Sequence, residues 1–69
     1  MEFDIQQGHD HIQLNQLLKL LGLVETGGEA NQCIIDGEVT VNNITEFQKR
    51  KKLKPGDLVV FRGQTIKIN

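Results

Sequence analysis

The chain has 69 residues, of which 25% are charged and 38% hydrophobic, a formal net charge of −1 and one cysteine. That length confines it to one small domain, residues 1–69, with a modest core and little room for an enclosed catalytic cavity. No stretch is long and apolar enough to cross a membrane as a helix, no secretory signal precedes the first polar residues, and Cys33 alone cannot form an internal disulfide, so a reducing, cytoplasmic setting is expected.

In chain order, Phe3 and Ile5 alternate with acids, which predicts a short strand over residues 2–6. Gln7 to Asp10 reads as a loop. Leu14, Leu17, Leu18 and Leu21 follow the spacing of one apolar helical stripe, with Asn15 as the expected N-cap and Gly22 as the left-handed residue that ends the helix. Thr26-Gly27-Gly28-Glu29 fits a capping box, with Thr26 as N-cap and Glu29 reaching back. Ala30, Cys33 and Ile34 then share a face, and Gly37 is the next helix stop. Two helices are therefore predicted, over 16–21 and 27–36.

After Gly37 the period changes to two. Val39 and Val41 face one way, Glu38 and Thr40 the other. Asn42-Asn43 tolerates positive φ and predicts a tight turn, with Ile44 starting the return. Pro55-Gly56-Asp57 and Arg62-Gly63-Gln64 are further turns, around an apolar strand from Leu58 to Phe61 and before a last one carrying Ile66 and Ile68. The expected architecture is α+β, two short helices packed on a small, mainly antiparallel sheet.

The near-neutral total hides a division of charge. Residues 1–46 hold eight acids against one base, Lys19, a balance of −7; residues 47–69 hold seven bases against one acid, Asp57, a balance of +6. Five of those bases fall in six positions: Lys49, Arg50, Lys51, Lys52 and Lys54. Such asymmetry points to a polyanionic partner for the basic part. Phe47 and Leu53 are the only large apolar neighbours of the run, which argues against a basic amphipathic membrane helix. A phosphate backbone rewards dense positive charge, because neutralised phosphates release condensed counterions. The alternative is a solvated turn that keeps the protein in solution.

Other chemistry is sparse. His9-Asp10-His11 has no matching second pair of metal ligands, so a solvated loop is expected and no metal or cofactor. Cys33 lies on an apolar helical face and reads as a small buried hydrophobe. Gly27-Gly28 opens a helix and offers free amides to an anion, for which Glu29 competes. No constellation for nucleophilic or acid–base catalysis is present, and the chain is not expected to be an enzyme.

One combination is more specific. Leu17-Leu18-Lys19, Gly22-Leu23-Val24, Thr26-Gly27-Gly28-Glu29-Ala30, Ile34, Gly37-Glu38-Val39-Thr40-Val41-Asn42 and Lys51-Lys52-Leu53-Lys54-Pro55-Gly56-Asp57 occur in this order. The sequence resembles the RNA-binding domain first known from ribosomal protein S-four, the αL motif, and is similar to its short stand-alone bacterial members. The resemblance spans residues 12–60. It implies two helices and a following strand that build a surface for structured RNA, ribosomal or transfer RNA, with no catalysis by the domain itself. It implies that Thr26, Gly27 and Asn42 lie near the RNA. Many members carry Arg where this chain has Gly27, Lys where it has Asn31 and Arg where it has Gln48, whereas Arg50 stands at a usually small position. Phosphate-binding charge has thus left the helix and collected in the 49–54 run. The expected partner is RNA, free or within the ribosome or another ribonucleoprotein, bound by a monomer mainly through Lys49, Arg50, Lys51, Lys52 and Lys54, with Lys19 and the Thr26 helix start as secondary contacts. The competing reading is an adaptor that binds an acidic protein surface.

Overall fold

The computed structural model describes all 69 residues. Nine elements follow one another: β1 (Glu2–Phe3), β2 (Ile12–Gln13), α1 (Leu14–Leu20), α2 (Gly27–Ile35), β3 (Val39–Val41), β4 (Ile44–Thr45), β5 (Lys52–Leu53), β6 (Leu58–Phe61) and β7 (Gln64–Ile68). The main sheet has the order β1-β7-β6-β3-β4, and β2 and β5 form a separate two-stranded ribbon. The fold is α+β, as the change of period after Gly37 predicts.

The helix stops follow the sequence closely. Gly22 has φ +72°, its amide donates to the carbonyl of Lys19, and the Leu23 amide donates to that of Leu18. Gly37, at φ +78°, repeats the pattern, with its own amide on Ile34 and that of Glu38 on Cys33. These paired bonds close the last carbonyls of each helix, and the left-handed residue they require carries no steric cost in glycine.

The helix starts differ from expectation in two ways. Asn15 is not the cap of α1. The helix begins at Leu14, two residues before the expected start, its N-cap Gln13 makes no side-chain bond, and Asn15 instead donates through Nδ2 to Asn31 Oδ1 of α2 at 3.1 Å. The amides of Leu14 and Asn15 donate to the carbonyls of Lys51 and Lys49, at 2.9 and 3.1 Å. A distant segment therefore does the work of a cap, which local sequence cannot reveal. For α2, Thr26 Oγ1 accepts from the Glu29 amide at 3.1 Å as predicted, but the Glu29 carboxylate accepts from the Glu25 amide at 3.0 Å, one residue beyond the cap.

Two tight hairpins build the sheet. Asn42-Asn43 (φ +52° and +68°) joins β3 to β4, and Arg62-Gly63 (φ +49° and +78°) joins β6 to β7. Positive φ at both central residues is the geometry whose twist matches antiparallel strands. The strand expected over 2–6 is shorter: only Glu2 and Phe3 pair, and they run parallel to β7. Within the basic run, Lys52 and Leu53 form a strand that the sequence reading did not include.

One apolar cluster holds the layers together. Val39, Val41, Val59, Phe61, Ile66 and Ile68 line the inner face of the sheet, and Leu14, Leu17, Leu18, Ala30, Cys33 and Ile34 cover it from the helices. Ile12 and Leu53, opposite one another in the ribbon, and Val24, between the two helices in sequence, complete it. All fifteen buried residues are apolar, so every charged side chain reaches the surface.

Two outcomes test this packing. Thr26→Ala removes the cap bond of α2 and should cost about 0.5–2 kcal/mol in a denaturant melt. Cys33 is buried, burial pushes its thiol up with Glu38 adding to the effect, and its thiolate is correspondingly scarce. A thiol reagent should label native protein far more slowly than unfolded protein; equal rates would put Cys33 on the surface.

Candidate nucleic-acid interface

The basic run is pinned at its backbone and free at its side chains. Gln48 to Arg50 form a turn closed by the Lys51 amide on the Gln48 carbonyl, and Glu46 Oε2 accepts from the Gln48 amide. Ile12 then pairs with Leu53, and Gln13 with Lys52. Because strand side chains alternate, burying Leu53 turns Lys52 and Lys54 outward. One leucine thus orients two lysines.

The far end of the run is fixed by two residues distant in sequence. Asn42 Nδ2 donates to Asp57 Oδ1 at 3.0 Å, while Asn42 Oδ1 accepts from the Leu58 amide at 2.9 Å. Asp57 Oδ2 accepts from the Lys54 amide at 2.9 Å, closing the Pro55-Gly56 turn. Asn42 therefore ties its own hairpin to the turn that ends the run, and its backbone amide adds a 2.7 Å bond to the Leu58 carbonyl.

Lys51, Lys52 and Lys54 come together with Val41, Asn42, Ile44, Glu46 and Asp57 around an open groove of about 360 Å³. Ile44 is 72% exposed there, an apolar surface among lysines. Lys49 and Arg50 are exposed on the adjoining turn. No carboxylate forms an ion pair with any of the five bases: the molecule has only two pairs, Asp10–His11 and Glu38–Arg62. The two acids in the groove do not neutralise it by pairing, since their carboxylates accept backbone amides. Arg62, also in the basic half of the sequence, is engaged elsewhere. Its Nε donates to Glu38 Oε1 at 3.2 Å, its Nη2 to Cys33 Sγ at 3.3 Å, and it lies 4.8 Å over the Phe61 ring.

The remaining candidates lie apart. Lys19 lines a second, larger groove of about 730 Å³ with His9, His11 and Gln16. Thr26 and Gly27 line neither groove, and the Glu29 carboxylate folded onto the start of α2 sets negative charge beside them. His11 Nδ1 and Asp10 Oδ1 are 2.6 Å apart, and no three potential ligands gather to hold a metal ion. Sequence reasoning missed Ile44 as part of the groove. Its signal was its position opposite Val41 across the Asn42-Asn43 turn.

Two helices pack on this sheet, and the strand that leads into Asn42 is tied through that asparagine to the lysine-bearing turn. The S4 domain family matches residues 3–69. The chain belongs to the S4 domain family. It is 38% identical over 60 residues to YbcJ of Escherichia coli (strain K12), named there as a candidate RNA-binding protein, with 87% of this chain and 86% of that one covered. It is 36% identical over 52 residues to RlbA of Bacillus subtilis (strain 168), named a probable ribosome maturation protein, covering 75% and 73% of the two chains. The solution structure of E. coli YbcJ, described as revealing an αL motif involved in RNA binding, superposes with a TM-score of 0.72 at 36% identity, over 97% of this chain and 84% of that one.

The S4 hairpin residue Asn42 offers a direct test. Removing its side chain leaves the Asp57 carboxylate and the Leu58 amide without that partner, so Asn42→Ala should destabilise by about 1–3 kcal/mol. Asn42→Gly relieves the positive φ yet loses the same bonds. If both variants lose stability in melts, the hydrogen bonds hold the joint; if only the alanine variant does, backbone conformation does.

Proposed function

We propose that this S4 domain is a non-catalytic RNA-binding protein that docks on structured RNA, ribosomal or transfer RNA, through Lys49, Arg50, Lys51, Lys52 and Lys54. The carrying observation is that all five bases lack an ion-pair partner while their backbone is held in place. Asn42 lies in the same groove, and Lys19, Thr26 and Gly27 are secondary contacts outside it. The RNA-binding description of the relative YbcJ supports the reading, and the name of RlbA favours a site of action on the ribosome or its precursors. Recognition is by backbone and shape: the run has no aromatic within it, and phosphate contacts position a protein without reading sequence.

The salt dependence of binding tests this. Five phosphate contacts should give a slope of log K against log salt of about −3.5 to −4.5, spanning single strands and duplexes. Replacing Lys51 and Lys52 with Gln should flatten the slope by about 1.4–1.8 and weaken binding to different RNAs alike, with little change in the melt. Unchanged binding would move the site to the Thr26 helix start. Crosslinking to cellular RNA, followed by sequencing, identifies the target. A parent protein that enriches no RNA but binds an acidic protein in a salt-sensitive way would be an adaptor instead.

A further inference from the structure

Phe47 stands where β4 passes into the basic run, and it is the aromatic side chain that the fold leaves uncovered. Phe61 is buried in the core and Phe3 packs against it, whereas Phe47 is 60% exposed. Leaving that much of a phenyl ring in water forgoes a large share of the stabilisation its burial would bring. The ring is nonetheless seated. A Cβ built on Gly37 would lie 3.4 Å from Phe47 Cε1 and 3.7 Å from Cζ, so one edge of the ring rests over the glycine that follows α2. Its backbone is held on both sides. The Glu46 amide donates to the Val39 carbonyl at 3.0 Å, and the Gln48 amide donates to Glu46 Oε2 at 3.1 Å. The second bond folds the Glu46 carboxylate onto the backbone, and Glu38, next to Gly37, is engaged with Arg62. Lys49 and Arg50 follow two and three positions after Phe47, at most about 7 Å and about 11 Å along the chain. Both are exposed and neither has an ion-pair partner.

We propose that Phe47 is a stacking platform for one unpaired base of the RNA, whose adjoining phosphates lie on Lys49 and Arg50, so that the target is structured RNA interrupted by a bulge, a loop or a single-stranded junction. This assignment rests on the RNA-binding reading above and deepens it. A nucleotide presents a flat apolar base and an anionic phosphate side by side, which is the complement of a fixed phenyl ring followed by two unpaired cations. A base inside a continuous helix has both faces covered by its neighbours, so the ring can stack only on a nucleotide that has left the stack. An apolar protein surface seated on Phe47 would strip water from Lys49 and Arg50 without compensation, whereas a nucleotide brings its own anion. Every base has a π-face, so such stacking tolerates any sequence and agrees with recognition by backbone and shape. What it selects is the presence of an unpaired nucleotide.

The test measures binding across salt on a long, fully paired RNA duplex and on the same duplex carrying a short unpaired bulge, for the parent protein, Phe47→Leu and Phe47→Trp. The parent should prefer the bulged RNA. Phe47→Leu should bind the bulged RNA about 5- to 150-fold more weakly, the range for losing one stacked aromatic, and bind the duplex as the parent does. Its slope of log K against log salt should match the parent's on both RNAs, since no phosphate contact is removed. Phe47→Trp should keep the preference. The native chain has no tryptophan, so the indole fluorescence of that variant reads this position alone and should change on adding the bulged RNA. It reports on the site even if the leucine variant fails to fold. A parent without preference, a leucine variant that binds both RNAs like the parent or both equally weakly, or an indole signal unmoved by saturating bulged RNA overturns the platform while leaving the lysine site standing. A parent protein that binds neither RNA overturns both readings.

Discussion

Two backbone hydrogen bonds, from the amides of Leu14 and Asn15 to the carbonyls of Lys51 and Lys49, govern the geometry of this S4 domain. Helix α1 has no side-chain cap and no acid in its first turn. Its first amides would otherwise be left to water. The basic segment satisfies them with carbonyls, and in the next residues adds the pairing of β2 with β5. The arrangement runs against a local electrostatic preference, because cationic side chains are disfavoured near the positive end of a helix. The backbone holds the lysines where their mutual repulsion and the helix field are both unfavourable. A polyanion relieves both at once, so density of charge without ion-pair partners has a physical rationale in binding that it lacks in folding.

The second constraint is the joint between Asn42 and Asp57. Separately, a positive-φ asparagine and a Pro-Gly-Asp turn are common devices. Here each side chain completes the other's backbone: Asn42 closes on Leu58, Asp57 closes on Lys54, and the two side chains bond each other. The joint and the α1 clamp grip the basic segment at its two ends. Between them Leu53 inserts into the core. The segment is therefore a fixed strip of the fold, and docking a partner on it would cost less backbone entropy than ordering a free loop.

Local chemistry made much of this legible. The Thr26 cap, the glycine stops at Gly22 and Gly37, the asparagine turn and the alternating strand residues are determined within a few positions, and each stands as the sequence predicts. What escaped was tertiary. The start of α1 is set by carbonyls more than thirty positions away, so Asn15 looked like a cap and is instead a bridge to Asn31. Strands of two residues, such as β2 and β5, carry no period to detect. Charge counting placed Arg62 among the seven bases of residues 47–69 without distinction, although Glu38 and the Cys33 sulfur engage it.

That last case bears on how a charge run is to be read. Composition divides the chain into −7 and +6 parts, but the structure sorts charges by whether a partner occupies them. Glu38 is engaged with Arg62. Glu29 accepts an amide at the start of α2, Glu46 accepts the Gln48 amide, and Asp57 accepts the Lys54 amide. Even the acids within the lysine groove thus serve as backbone acceptors. The five lysine and arginine side chains of the run have no such engagement. Backbone groups carry the folding role of residues 49–54, and the side chains are left to act outward. A surface built this way can change its charge by substitution with little effect on the fold, because the hydrogen bonds that hold residues 49–54 in place run through their backbone groups.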